Sequence, residues 1–480
     1  MNLVTTHIAS FFGLHTPPRV ALLATLAFIV FLFRRDIREE RNVSGALWLP
    51  LIWLLLTCSR PVTTWLYIFG LPAMGGASSE EGSPVDASFS YAMEAAGLFV
   101  LINRQVSLSE VLQRNGWLLA FIAYCLVSIV WSDYPFITFK RETKIFIPPI
   151  MALIVLTEPD FDEALTRLMK RCAYVVVPVS ILWIKYYPQL GVSYDDWSGA
   201  QITNGIAGGK NGLGADCLIL GFFFFWYLLQ VWRTERNTQR RNELRLIAGL
   251  LILILYLLRL SHSATATIGL FVAILVVVFV GIRPTIKKFI GTYTLATVVL
   301  LAAAELAFGI SGRLSESLGR GSNLTGRTPI WEAALKFQAN PIIGAGYDSF
   351  WIGERRARIA EFFKWSPGGA QNGYLDAYLE LGLIGLSLLI GMLIATFWKT
   401  RRELFRNFEW GRYRLGFLAA LVLRGCTESY FKTASALWFV FFIIALEYPL
   451  THLTIGQSSV RVARSEEEES REFAYAEEEP

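Results

Sequence analysis

Hydrophobic positions along this chain come in continuous blocks. The blocks run at about 20–33, 45–58, 88–103, 117–131, 145–156, 173–186, 211–232, 246–258, 264–282, 289–309, 374–398, 415–428 and 434–449, with charged loops between them. Blocks of roughly 14 to 24 residues match helices crossing a hydrocarbon layer about 30 Å thick. Several are short for a full crossing, so polar neighbours must complete them, and the stretches 4–14 and 61–73 read as weaker membrane segments. In lipid each backbone amide must find its partner within its own segment, which leaves helices as the form for blocks this apolar. The pattern predicts an all-α, polytopic integral membrane protein of 12 to 14 transmembrane helices.

Composition agrees: of 480 residues, 54% are hydrophobic and only 17% charged, well away from a soluble globular chain. No cleavable leader is expected, because the first strong block is followed, not preceded, by the basic pair Arg34 and Arg35. The five cysteines (Cys58, Cys125, Cys172, Cys217, Cys426) lie in or beside apolar blocks without paired or metal-type spacing, so they read as small buried hydrophobes.

Charge changes the picture through its placement. The loops "RRDIREER", "LTRLMKR", "RTERNTQRRNELR", "RPTIKK" and "KTRRELFRNFEWGRYR" alternate with loops much poorer in Lys and Arg. Basic short loops stay in the cytoplasm. That assigns "WSDYP", "YYPQLGVSYDDWSGAQITNGIAGGKNG", "SHSATA" and the stretch from about 310 to 373 to the outer face. The expected division is 1–114, N-terminal helices; 115–309, central helices with outer motifs; 310–373, a periplasmic loop with short helices; 374–449, C-terminal helices; 450–480, an acidic, disordered cytoplasmic tail.

A connection of about 60 residues is too long to be a plain link. Within it "TPIWEAALKF" has a helix start, with Thr325 or Thr328 to cap and Pro329 for the first turn. Asn340-Pro341 stops that helix, Gly344 and Gly346 supply a turn, and "GERRARIAEFF" reads as a second helix. One reading is an amphipathic element resting on the outer leaflet. The other rests on the cations that share this face: Lys140, Arg141 and Lys144, then Lys210, Arg259 and Arg327. A lone cation at a membrane boundary snorkels; several around one vestibule suit an anion, and guanidinium suits phosphate. A lipid-linked diphosphate, charged at headgroup depth and greasy below, fits that chemistry. Lys210 at the mouth of a helix adds amides that favour anions. Asp133, Asp195 and Asp196 lack the spacing of an octahedral site, so no metal is expected. The acidic residues Glu94, Asp216 and Glu380 sit near block ends, not at mid-membrane depth.

These residues resemble a family. "GRTPIWEAALKFQANPIIGAGYDSFW" followed by "QNGYLDAYLELGLIG" is similar to the signature of the bacterial O-antigen ligase and polymerase superfamily, in its exopolysaccharide-production (ExoQ-type) branch. "WSDYP", "GGKNGLG" and "LSHSATA" resemble its earlier outer motifs, in the same order. The resemblance covers about residues 115 to 390. It implies transfer of a glycan from an undecaprenyl diphosphate carrier to a glycan or lipid A core acceptor, at the periplasmic side of the bacterial inner membrane. Membrane lipid is then a partner, and no cofactor, metal, nucleotide sugar or nucleic acid is implied. Arg327 matches the family's loop arginine. The motif of a histidine, a small polar residue, nine positions, Gly, two positions and Gly falls on Gln371, Asn372, Gly382 and Gly385, with Gln371 replacing the histidine.

The expected diphosphate-binding residues are Arg141, Lys210, Arg259, Arg327 and Asn372, with Lys140 as a further candidate. Gln371 cannot take a proton at neutral pH. Asp376 is therefore the first candidate base, with Asp348 and His262 behind it, and Arg327, Gln371 and Asp376 are the expected catalytic group. Loss of activity in this member, and small-residue packing by Ser261, Ser263, Thr265 and Thr267, stand as alternatives. The rival class is a flippase or exporter of the same lipid-linked sugar, which would need symmetry-related halves; no internal repeat is visible.

Overall fold

The computed structural model describes residues 17–38, 42–71, 82–194, 199–282, 327–363, 367–431 and 435–448. Among them the chain is helical apart from short turns and one small antiparallel pair, Val192–Tyr194 against Gln201–Thr203. Among the described residues five helices are long and apolar enough to cross a membrane: Pro84–Asn103, Lys210–Arg233, Thr238–Ser261, Ala264–Ile282 and Gly373–Arg406. Two bent pairs, Gly45–Thr57 with Val62–Ile68 at 73° and Leu108–Arg114 with Gly116–Trp131 at 99°, bring the number up to seven. The outward surfaces of these helices are apolar: Phe99, Ile252 and Phe271 are each more than 60% exposed. Large side chains in such positions are at home against lipid, not water.

That count covers the described residues only, and it differs from 12 to 14 in part for a physical reason. Stretches 4–14 and 289–309 lie outside the described residues. Other blocks fold as core helices rather than spans. Ile147–Leu156 is ten residues long, takes Pro148 and Pro149 in its first turn where no amide is lost, and buries every residue. Ala436–Ala445 is likewise buried throughout and packs against it. A helix apolar all round belongs inside, wrapped by the longer helices.

The described parts of the basic loops gather at one end of the bundle, where many of their charges pair. Arg171 bonds Asp36 at 2.7 Å, Arg35 bonds Glu243 at 3.1 Å, Lys170 pairs with the same Glu243, and Arg104 pairs with Glu158. Ser44 reinforces that last pair by donating its hydroxyl and its amide to Glu158. At the other end lie the polar motifs. Cys58, Cys125, Cys172 and Cys217 are buried thiols, and Cys426 is exposed.

The long loop is held by main-chain bonds. Helix Gly373–Arg406 is broken at Gly382 (φ 67, ψ −166), and a Cβ there would lie 2.2 Å from the Ile342 carbonyl oxygen, so only glycine fits. A break strands backbone groups that must be paired in a membrane protein. The segment 341–346 pairs them: Leu383 and Ile384 donate to the Pro341 and Ile342 carbonyls at 2.9 and 3.1 Å. Ala345 and Gly346 donate to the Leu379 and Glu380 carbonyls at 3.2 and 2.8 Å. The expected short helices occur, at Arg327–Lys336 and Gly353–Ala360. Ile330, Ala334, Phe350, Trp351, Ile359 and Leu379 form a small core between them and the long helix, so the inward face of the loop is spent on protein.

Candidate functional site

The motifs scattered along the sequence meet at this end. "WSDYP" lies under "PIIGAGYDSFW": Trp131 donates to the Ile343 carbonyl at 3.0 Å, and Asp133 accepts from Arg355 at 2.7 Å. Gly346, at φ 99, would press a Cβ to 2.6 Å from the Ser132 Cβ. "GGKNGLG" meets "LSHSATA", since a Cβ on Gly214 would lie 2.7 Å from the Ser263 Cβ.

Arg327 is the buried centre. Its Nε donates to the Gln371 Oε1 at 3.0 Å, and its Nη2 donates to the Glu428 Oε1 at 3.3 Å. Glu428 lies just past helix Phe408–Gly425 and faces Arg424 and the Asn211 side chain as well. Burial raises the Glu428 carboxyl above the ordinary range, and the two guanidinium groups pull it part of the way back. Arg424 donates its Nη2 to the Asn211 carbonyl at 2.9 Å. Thus the loop arginine, the Gln371 turn, the start of helix Lys210–Arg233 and the end of helix Phe408–Gly425 form one polar knot.

The turn before helix Gly373–Arg406 is shaped by its own polar residues. Asn372 caps that helix, accepting from the Tyr374 and Leu375 amides at 3.1 and 3.2 Å. Asp376 accepts at Oδ1 from the Trp351 indole at 2.8 Å and from the Ala370 amide at 2.9 Å. These bonds tie loop and turn together and hold Gln371 at φ 51, a conformation sparse for a residue with a side chain. The Asp376 Oδ2 and the Ser429 Oγ are buried without a hydrogen-bond partner among the described residues, and both residues line a small cavity with Glu380, Tyr347, Phe121 and Phe431. The non-glycine residues at positive φ among the described ones are Gln105, His262, Asp348 and Gln371. Three of these four are expected site residues, and such strain concentrates where function holds a backbone in place.

Arg141 belongs to a neighbouring cluster. It donates to the Asp348 carbonyl at 2.6 Å and lies 3.4 Å from its carboxylate. The Asp348 amide donates to Glu380 at 3.0 Å. Beneath it Ser128 accepts from the Tyr347 amide at 2.8 Å and donates to the Glu142 carboxyl at 3.2 Å. Burial pushes Glu142 up to about 8. Lys140, partly buried, sits one residue before Arg141. Lys210, exposed, opens its helix beside Asn211. Arg259 and His262 are exposed at the end of helix Thr238–Ser261, where His262 takes the left-handed capping position. The structure therefore brings Arg327 and Gln371 into direct contact and seats Asp376 and Asn372 in the same turn. It keeps Arg141 on Asp348. Among the described residues no three His, Cys, Asp or Glu side chains gather as metal ligands; Asp195 and Asp196 lie outside them.

Arg424 and Glu428 were missed in the sequence. Both fall within the apolar block 415–428, whose hydrophobic average conceals them. Charged residues inside such a block were nonetheless the signal, since they are rarely there without a task.

Residues 248–390 match the family described as O-Antigen ligase. Over 300 residues, 60% of this chain, the sequence is 27% identical to the exopolysaccharide production protein ExoQ of Rhizobium meliloti (strain 1021). The matched stretch covers 66% of that protein's length, just under two thirds. The resemblance to the O-antigen ligase family, in its ExoQ-type branch, is carried by both comparisons. The family match contains Arg327, Gln371 and Asp376 and stops short of Arg424 and Glu428.

Proposed function

We propose that this chain transfers a saccharide from undecaprenyl diphosphate to an acceptor sugar hydroxyl at the periplasmic face of the bacterial inner membrane. Similarity to a protein of exopolysaccharide production favours joining of polysaccharide units over attachment to lipid A core. The observation that carries the reading is the buried Arg327, fixed between Gln371 and Glu428 at the membrane end that lacks the paired basic loops.

The acceptor oxygen attacks the anomeric carbon, forming the new glycosidic bond. The bond from that carbon to the diphosphate oxygen breaks, and its electrons leave with undecaprenyl diphosphate. Arg327 neutralises the departing charge, which is where electrostatic help counts most. Gln371 orients the guanidinium and is no base. The hydroxyl proton goes to the Oδ2 of Asp376, the oxygen not used to hold Trp351 and Ala370.

The test is the purified full chain in lipid nanodiscs with a carrier-linked oligosaccharide and an oligosaccharide acceptor. Wild type releases undecaprenyl diphosphate in step with a lengthened glycan. Arg327→Lys keeps the charge beside Glu428 but loses the paired donors, and turnover drops about a hundredfold. Translocation of intact lipid-linked sugar with no cleavage would mean an exporter and would refute the reading.

A further inference from the structure

We infer that Arg424 and the first turn of helix Lys210–Arg233 form a second phosphate subsite, so that the two phosphates of one diphosphate are divided between Arg424 and Arg327. This rests on the reading above and adds to it a residue, and a split of the ligand, outside the matched family segment.

The observation is a pair of orphaned donors. Arg424 is 3% exposed, and its Nε and Nη1 are buried without a hydrogen-bond partner among the described residues. Leaving such donors unmet is costly, and each such group calls for an explanation; at Arg424, unlike at Arg412 and Arg414, the unmet donors stand beside a helix start that favours an anion. The guanidinium is anchored at its other end, by the 2.9 Å bond from Nη2 to the Asn211 carbonyl. That bond places it at the start of a 24-residue helix whose capping position is Gly209, with no side chain to satisfy the first amides. Those amides and the helix dipole favour an anion. Lys210 opens the same turn.

The subsite lies beside the Arg327 site. Glu428 is bonded by Arg327 at 3.3 Å and also faces Arg424 and the Asn211 side chain, so one carboxylate sits between the two guanidinium groups. It does there what an anion between two cations does, limiting their repulsion. A diphosphate carries its charge on two linked centres and can address both guanidiniums at once, whereas a monophosphate satisfies one. The arrangement is thus a discriminator for diphosphate over monophosphate polyprenols, and that distinction separates a loaded or spent carrier from the recycled one. Paired donors on each arginine suit tetrahedral phosphate oxygens.

The experiment measures binding of radiolabelled undecaprenyl diphosphate and undecaprenyl monophosphate to the full chain in nanodiscs. Wild type binds the diphosphate more tightly. Arg424→Gln weakens diphosphate binding on the order of ten- to a hundredfold, the range of a charged hydrogen bond, and leaves monophosphate binding on Arg327 within about twofold. If Arg424→Gln retains the full preference for diphosphate, the subsite is overturned while the proposed function stands. Wild type binding neither lipid would overturn both. Should Arg424→Gln fail to fold, Arg424→Lys decides the matter: it keeps the charge facing Glu428 but not the forked donors, so the preference must still shrink, and an unchanged preference refutes the subsite.

Discussion

The two ends of the helix bundle share residue types but differ in the backbone that carries them. At the basic end the arginines and lysines reach carboxylates directly, as Arg171 does with Asp36 and Arg35 does with Glu243. Buried guanidiniums with two donors unmet occur at both ends, Arg414 in the basic loops and Arg424 among the motifs, but three of the four left-handed non-glycine residues among the described ones, Gln371, Asp348 and His262, lie at the motif end. A charge that finds its partner within the chain is spent on holding helices together. A charge buried without its full complement is a cost that calls for an explanation, a ligand being one. The difference separates architecture from chemistry inside one cationic protein.

The largest expected effect probes the architectural end. Arg171→Ala leaves Asp36 buried and alone, which costs about 3–5 kcal/mol. Thermal unfolding in detergent should show the loss, while the protein that remains folded turns over normally. A selective loss of turnover at unchanged stability would erase the contrast between the ends. Next is Glu142, under the motif end. Its carboxyl is raised from an ordinary carboxyl range to about 8, so its contribution to stability is fully present below pH 4.5 and is lost as pH rises toward 8. Melting temperature should fall between about pH 4.5 and 8 by an amount worth a few kcal/mol and level off above, and Glu142→Gln should flatten the profile. A wild-type profile as flat as the variant's would mean the carboxyl is solvated.

The smallest effect is the most diagnostic. Gln371→His restores the residue type the family signature carries, and histidine tolerates left-handed backbone better than most residues. Neutral imidazole can accept the Arg327 Nε bond that Gln371 now accepts, so turnover should stay within about tenfold at pH 8. Below about pH 6.5 the protonated ring loses that acceptor and repels the guanidinium, and activity should drop where wild type does not. A pH profile identical to wild type would place residue 371 away from Arg327 in the working enzyme.

The sequence made the membrane class readable because lipid forces apolar residues into runs, and runs survive averaging. The loop was legible for a similar reason: Pro329, Asn340-Pro341 and Gly344 punctuate it strongly, and helices Arg327–Lys336 and Gly353–Ala360 occur where they predict. Helix number was harder, because a block such as Ile147–Leu156 is apolar whether it faces lipid or the core. In the site, Arg327 and the Gln371 position followed from the family resemblance. Asn372 was expected on phosphate; its Oδ1 caps a helix, a role set by backbone that no spacing reveals. Gly382 belonged to a motif, but its reason, the docking of segment 341–346 into a broken helix, needs coordinates. Arg424 and Glu428 stayed hidden because two charges in fourteen residues barely move a hydrophobic average.

Cryo-electron microscopy of the full chain in nanodiscs with undecaprenyl diphosphate bound is the most direct measurement. The account predicts diphosphate oxygens within hydrogen-bond reach of the Arg327 guanidinium, at the end opposite the Arg171–Asp36 pair. A diphosphate seated elsewhere, with Arg327 still held by Gln371 and Glu428, would contradict it.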